Sequence, residues 1–425
     1  MQTNTKKVYV IAQDGTPLMP CEPVIARLLL KAGKAKVKRK EPFTIKLLYE
    51  STKYTQELSL GVDLGSGTIG TAVSDNNGNI FYISKVEVRN DIHKKMEERK
   101  GHRRFRRNKL RYRQARFLNR HNSIKKDRLN PTVKSKIQSH IKEIEYIKSI
   151  LPITNLILET TKFDMAKMQN PNITSWGYQK GINYGYQNTH EYVLYRDNHT
   201  CQLCKGKHKD SKLEVHHIIP RHNHGADTQN NLITLCKTCH DKIHKEERKT
   251  GICPTYGLKG LVKRTLSHAT QMNVISSQLR KHYPNRIETS GYITKANRLA
   301  LNISKDHNLD ACVIASNGKQ IQIKSYLYQK KSVSKGDYQL TKGVRGEIKI
   351  PIEKIQGLRK FDKVKYLGKE YFIKGRMSSG YAILMDIEGN KIDFSNMPKG
   401  KKTVKLENLK RIQSRKSIIL EKKIA

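Results

Sequence analysis

The chain has 425 residues, 36% hydrophobic and 7% aromatic, which is length for two to four domains with small cores. Against 37 Asp and Glu stand 83 Lys and Arg, a formal net charge of +46, so a compact chain repels itself unless a polyanion is near. No apolar run of about 18 residues and no signal-peptide core is present, and the seven cysteines do not form a secreted disulfide pattern, which argues against membrane and secreted classes. Long nucleic acid is the expected partner, with an anionic membrane surface as the rival, and the cytoplasm is the expected compartment.

Residues 1–55 read as a small αβ module. Lys7 to Ala12 is a strand, Asp14-Gly15 a turn, and Thr16-Pro17-Leu18-Met19-Pro20 an irregular link. Pro23 to Lys31 is a helix with Val24, Leu28 and Lys31 on one side and Ile25 and Leu29 beside them, stopped by Gly33. A basic stretch from Lys34 to Lys40 precedes a strand from Phe43 to Tyr49. In residues 56–98, Leu58 to Leu64 is an apolar strand with Asp63 near its end. The turn Gly65-Ser66-Gly67 leads to strands at Ile69 to Ser74 and Ile80 to Val88, joined by Asn76-Asn77-Gly78-Asn79. That glycine turn also suits the phosphate loop of a sugar kinase.

Residues 99–125 follow as a basic helix. From Arg99 to Arg120 stand nine arginines (Arg99, Arg103, Arg104, Arg106, Arg107, Arg111, Arg113, Arg116 and Arg120) and two lysines, with no acid. Phe105, Tyr112, Ala115 and Leu118 recur at near-helical spacing. Arg grips phosphate through a planar fork, although a solvated basic tail is the plainer reading. Residues 126–185 then hold one helix, Val133 to Ile150, and the strand Asn155 to Leu158 ending at Glu159, the candidate partner of Asp63 in holding a metal. Residues 165 to 190 read as loop, with Trp176 as a possible anchor.

The segment 186–250 carries the densest chemistry. Two CxxC pairs, Cys201/Cys204 and Cys236/Cys239, can offer four thiolates to one structural zinc. The 31 residues between them exceed a bare zinc ribbon. They hold the short strand Leu213 to Val215, the pair His216-His217 and Asn231, and a helix starting near Thr238 places His240 and His244 on one face. This set suits phosphodiester hydrolysis. His216 and His240, with His244 as a possible third ligand, would hold one cation that offsets charge on the phosphate. His217 would take a proton from water, and Asn231 would tie the loop so that this base stays aimed. The plainer reading is a structural zinc knuckle with incidental histidines.

Residues 251–317 begin as a linker through Gly260, turn helical over 261 to 283, and return at Ser304 to Ala315, where His307 and Asp310 share a helix face. From 318–425 short strands alternate (Ile321 to Ile323, Phe361 to Tyr366, Glu370 to Lys374, Tyr381 to Asp386, Thr403 to Leu406), which reads as a β-barrel or curled sheet with a basic surface, a generic RNA-binding barrel being the plainer reading.

Several of these stretches resemble known families. The Cys, His and Asn pattern from Cys201 to His244 resembles the HNH nucleases in their zinc-stapled ββα-metal form. Asp63 before its glycine turn resembles the first ligand of a ribonuclease-H-like fold, and His307-Asn-Leu-Asp310-Ala311 resembles the third motif of the RuvC nucleases. Pro17-Leu18-Met19-Pro20 with these centres resembles IscB, a transposon-encoded relative of the CRISPR RNA-guided nucleases. The resemblance implies an α/β multidomain chain: a RuvC core split in three, an Arg-rich bridge helix, an inserted HNH domain, a small N-terminal module and a C-terminal β-barrel-like domain that reads a short target-adjacent motif. It implies Asp63, Glu159 and Asp310 as ligands of two Mg2+ ions, about 4 Å apart in such centres, with His307 assisting proton transfer and one further Mg2+ in the HNH site. Only 38 residues separate Arg120 from Glu159, too few for a helical recognition lobe, so a long structured guide RNA would supply that scaffold. The implied activity is RNA-guided cleavage of double-stranded target DNA by a monomer in a one-to-one complex with RNA, in the prokaryotic cytoplasm. HNH would cut the guide-paired strand and RuvC the displaced one. A guide-free structure-specific endonuclease and a non-catalytic nucleic-acid scaffold are the alternatives.

Overall fold

The computed structural model describes residues 6–110, 129–181, 183–221, 225, 227–250, 266–334, 355–377, 379–395 and 402–424. The chain divides into two compact units, Met1–Lys162 with Gln271–Ala425, and Phe163–Thr270.

The larger unit opens with β1 (Val8–Ile11), β2 (Pro17–Cys21), α1 (Pro23–Lys31), β3 (Ala35–Arg39) and β4 (Thr44–Leu47), whose strands lie in the order β2-β1-β4-β3. Two of these strands correct the sequence reading. Pro17 to Pro20 is not an irregular link but an edge strand, the place in a sheet where a missing N–H is tolerated. The basic stretch forms the other edge, β3, where lysines discourage pairing with another chain. Helix α1 also turns differently: Ala26 is buried with Leu29 and Leu30 against the sheet, while Val24, Ile25 and Leu28 face outward.

Next come β5 (Leu58–Asp63), β6 (Thr68–Asp75) and β7 (Asn79–Glu87), an antiparallel meander whose second turn needs the left-handed Gly78. Helix α2 (Ile92–Leu110) starts seven residues before Arg99, and Arg99, Arg103 and Arg104 are exposed on it. Arg106 and Arg107 lie in the same helix, whereas Arg111, Arg113, Arg116 and Arg120 lie outside the described residues. Asn130 caps α3 (Pro131–Lys148) by accepting from the Thr132 N–H at 3.0 Å. That helix packs Ile137, Ile144 and Ile147 into the main core, and β8 (Asn155–Glu159) follows, parallel to β5.

The smaller unit holds α4 (Met165–Gln169), α5 (Thr189–Arg196), β9 (Leu213–His217), β10 (Leu232–Cys236) and α6 (Lys237–Thr250). The expected loop at 165 to 190 therefore contains a helix, and Trp176, 74% exposed, does not anchor it by burial. Cys253 and the linker up to residue 260 lie outside the described residues.

The remaining elements are α7 (Ser267–His282), β11 (Ile287–Thr289), α8 (Gly291–Ala300), α9 (His307–Ser316), β12 (Gln322–Ile323), β13 (Leu327–Ser332), β14 (Lys363–Tyr366), β15 (Lys369–Arg376), β16 (Tyr381–Met385), β17 (Val404–Lys405), β18 (Lys410–Gln413) and β19 (Ile418–Lys423). The main sheet runs β11-β8-β5-β6-β7-β13-β19, with β12 also on β7. The boundary expected at 318 thus does not hold as drawn, because β12, β13 and β19 belong to the main sheet. Tyr328 of β13 stacks on Tyr82 of β7 at 5.4 Å, and Lys330 meets Glu143 of α3 at 2.7 Å, both buried. Among the described residues, what remains of the expected C-terminal domain is a five-stranded sheet in the order β17-β16-β15-β14-β18, over its own core of Val364, Ile373, Leu384 and Phe394. Among the described residues no helix is long and apolar enough to cross a membrane.

Candidate active site

In the smaller unit β9 and β10 pair antiparallel and α6 follows β10 without a loop. Successive residues of a strand point to opposite faces, so His216 is buried toward α6 while His217 stands on the other side. On α6 His240 and His244 are one turn apart. Their rings lie 5.2 and 5.1 Å from that of His216, and their Nε2 atoms are 3.2 Å apart. The three offer ligand atoms all within 4.8 Å of one another. Burial, reinforced by His240 and His244, pushes His216 down to about 4, which keeps its lone pair available at neutral pH. Glu214 accepts from Nδ1 of His240 at 2.9 Å and Glu247 meets Nδ1 of His244 at 3.1 Å, so each ring's other nitrogen faces the shared point.

On the opposite face Nε2 of His217 lies 2.7 Å from Asp227, which Arg221 also holds at 2.8 Å. Asn231 binds the Ile219 backbone twice, accepting from its N–H at 2.8 Å and donating to its carbonyl at 3.0 Å, and so pins the turn after His217. Glu214, Glu247 and Asp227 escaped the sequence reading, since acids adjoining histidines are common and only the fold selects these.

Cys201, Cys204, Cys236 and Cys239 also lie within 4.8 Å of one another. Cys204 and Cys236 are 3.8 Å apart, which is the edge, about 3.8 Å, of a tetrahedron with Zn–S bonds near 2.3 Å. The cluster fits a structural zinc. His208, also unread in the sequence, places Nδ1 at 3.4 Å from Cys239.

In the larger unit Asp63 and Glu159 are the last residues of β5 and β8, in register side by side. Helix α9 lies directly on β5 and β6 because Gly61 and Gly70 have no side chain: a Cβ would sit 2.5 Å from the Ala315 nitrogen and 1.8 Å from the His307 carbonyl oxygen. That approach brings Nδ1 of His307 to 2.5 Å from Asp63 and places Asp310 within its electrostatic reach. Burial, with Asp63 and Asp310 adding repulsion, raises Glu159; burial and Asp63 raise Asp310; and the bond to Asp63 raises His307. Asp310 lies 3.0 Å from Nε of Arg298, and Glu159 has the Thr294 hydroxyl beside it; both partners are on α8, an element the sequence reading passed over. A cavity of about 390 Å³ lies between the sheet and α8, lined by Ser59, Asn155, Thr289, Thr294, Asn297 and Lys319.

Comparison with known proteins bears on both units. Residues 201–246 match the HNH endonuclease family model, and residues 8–181 match that of the RRXRR proteins, whose name Arg103-Arg104-Phe105-Arg106-Arg107 spells out.

Residues 201–246 are an HNH endonuclease domain.

The type IV methyl-directed restriction enzyme EcoKMcrA of Escherichia coli is 37% identical over 12% of this chain and 21% of its own. Anaredoxin of Nostoc sp. is 33% identical over 16% of this chain and 88% of its own, and over that stretch the chain belongs to the same family. Streptococcus thermophilus Cas9, solved with a GGAA PAM, covers 58% of this chain and 32% of its own at 12% identity, with a TM-score of 0.33, below that of a shared overall fold. The chain spans about a fifth of the restriction enzyme and a third of the Cas9 chain.

The donor sets of the two centres differ. Asp63, Glu159 and Asp310 offer only oxygen, the donor type that suits Mg2+, although among the described residues only the cysteines and the histidines bring three or more ligand atoms within 4.8 Å of one another. The HNH site offers three imidazoles, which suit a transition ion better than the Mg2+ expected there.

Proposed function

We propose that the chain is an RNA-guided double-stranded DNA endonuclease of the IscB kind, with two independent cutting centres. The observation that carries this reading is the pairing of an HNH domain with a separate carboxylate group, Asp63, Glu159 and Asp310, at adjacent strand ends and on α9. The order of the main sheet, an antiparallel β5-β6-β7 meander with β8 parallel to β5, supports a ribonuclease-H-like core. The net charge of +46 and the arginines of α2 support a nucleic-acid partner bound largely by counterion release.

In the HNH domain, Asp227 fixes His217 through Nε2, leaving Nδ1 to take the proton of the attacking water. Asn231 keeps the turn behind it rigid. His216, His240 and His244 would hold a divalent cation, and Asp63, Glu159 and Asp310 would hold two more. Such cations, when bound, offset charge on the phosphate and the leaving oxygen. Near the carboxylates His307 bonds Asp63 and is placed to carry a proton. Each centre then cuts one strand, HNH the guide-paired one.

The test is strand-resolved cleavage of a target duplex by the chain purified with its copurifying RNA. His217→Ala and Asp63→Ala should each leave a nick, on opposite strands, each slowing its own cut by roughly 10²-fold or more. Loss of the same strand's cut in both variants would refute two independent centres. Cutting of branched DNA without RNA would favour a guide-free endonuclease.

A further inference from the structure

We propose that Arg298 is the internal counter-ion of the carboxylate centre, holding Asp310 in place while no cation is bound and competing with a divalent cation for its Oδ1. This rests on the reading of Asp63, Glu159 and Asp310 as cation ligands and adds a residue that tunes how tightly they bind. The argument begins with helix spacing. Gly291, Thr294 and Arg298 are three and four residues apart on α8, hence on one face, and each meets one of the proposed ligands. A Cβ on Gly291 would sit 3.0 Å from Oε1 of Glu159, the Thr294 hydroxyl lies beside the same carboxylate and favours its charge, and Nε of Arg298 is 3.0 Å from Oδ1 of Asp310. The helix is thus a rail along the acids, running from no side chain, through a hydroxyl, to a fixed positive charge.

That charge is held where it is. The Arg298 side chain is 12% exposed and Asp310 15%, and Nη1 of Arg298 donates to the Ile303 carbonyl at 3.1 Å. Acids that repel one another are steadied by positive charge beside them, and His307 serves Asp63 while Arg298 serves Asp310. A guanidinium does not shed its proton. An incoming cation must displace it from Oδ1 or bind beside it, and either outcome weakens binding. Removing the charge should tighten cation binding while loosening the empty centre. A residue that merely filled space would loosen the fold without tightening anything.

The experiment is Mn2+ titration, read as free-ion electron paramagnetic resonance, on the full chain in a His240→Ala background, which removes the HNH site from the count. Arg298→Gln should lower the Kd of the carboxylate centre by roughly three- to ten-fold. It should also lower the metal-free Tm and enlarge the rise in Tm on adding Mn2+. Arg298→Lys, which keeps the charge, should stay within about twofold of its parent. Asp63→Asn separates two failures: if it leaves Mn2+ binding unchanged, the ligand reading itself is wrong. If Asp63→Asn weakens binding but Arg298→Gln leaves Kd unchanged or higher, the counter-ion role is wrong. A crystal structure of the unsubstituted chain with Mn2+ bound gives a variant-free check. Arg298 should have left Oδ1 of Asp310, and a retained 3.0 Å contact would overturn the proposal.

Discussion

Glu159 is a carboxyl group in surroundings that resist its charge. Burial, then Asp63 and Asp310, lift it above its ordinary 4.5. The folded chain therefore holds that proton to higher pH than the unfolded chain does. The sign follows: this contribution to stability is complete below about 4.5 and drains away as pH rises through the elevated folded value. Metal-free Glu159→Gln, which cannot ionise, should unfold at a higher Tm than the unsubstituted chain near pH 7, and the gap should close below pH 4. A gap that stays constant with pH would mean that Glu159 is not held against ionisation. His216 shows the complementary case of a buried base kept neutral, ready to ligate. The histidine and cysteine clusters are legible in the sequence because their spacing is rare and their chemistry demands it. Arg298, Thr294 and Glu214 are not, because an Arg, Thr or Glu on an amphipathic element is ordinary until a neighbouring element turns it inward.

Among elements, helix α9 decides whether the carboxylate centre exists. It lies on two glycines, and Gly61→Ala would drive a methyl group to 2.5 Å from the Ala315 nitrogen. The expected result is a loss of about 1–3 kcal/mol in unfolding free energy, with α9 shifted from β5. Cutting at the carboxylate centre should fall while the HNH cut persists, as strand-resolved gels would show. Equal loss on both strands would argue for global damage instead. The long strands β5 to β8 and helices α1, α3 and α6 are readable from apolar runs and stops. Edge strands β2 and β3 are not, since their prolines and lysines imitate a linker. Strands β13 and β19 hide for another reason: their pairing partners are distant in sequence, and periodicity carries no trace of them.

At the scale of the whole molecule, one buried ion pair joins distant stretches of the larger unit. Lys330 on β13 meets Glu143 on α3, with Tyr82 and Ser84 of β7 also bonded to that carboxylate. Lys330 is 3% exposed and Glu143 1%. Lys330→Met alone should cost about 3–5 kcal/mol by stranding the acid, while Lys330→Met with Glu143→Leu should recover most of it, as a double-mutant cycle in urea would show. Equal costs for the single and double variants would mean that the charges are not coupled. The pairing of β8 with β11 has a different consequence, for synthesis on the ribosome. These neighbours flank the entire nuclease insertion, and the Thr160 N–H already reaches the Thr289 carbonyl at 2.9 Å. Strand β8 must therefore leave the exit tunnel and wait, one edge open, until everything between has been translated. The four-cysteine domain has that interval in which to fold before its host is finished.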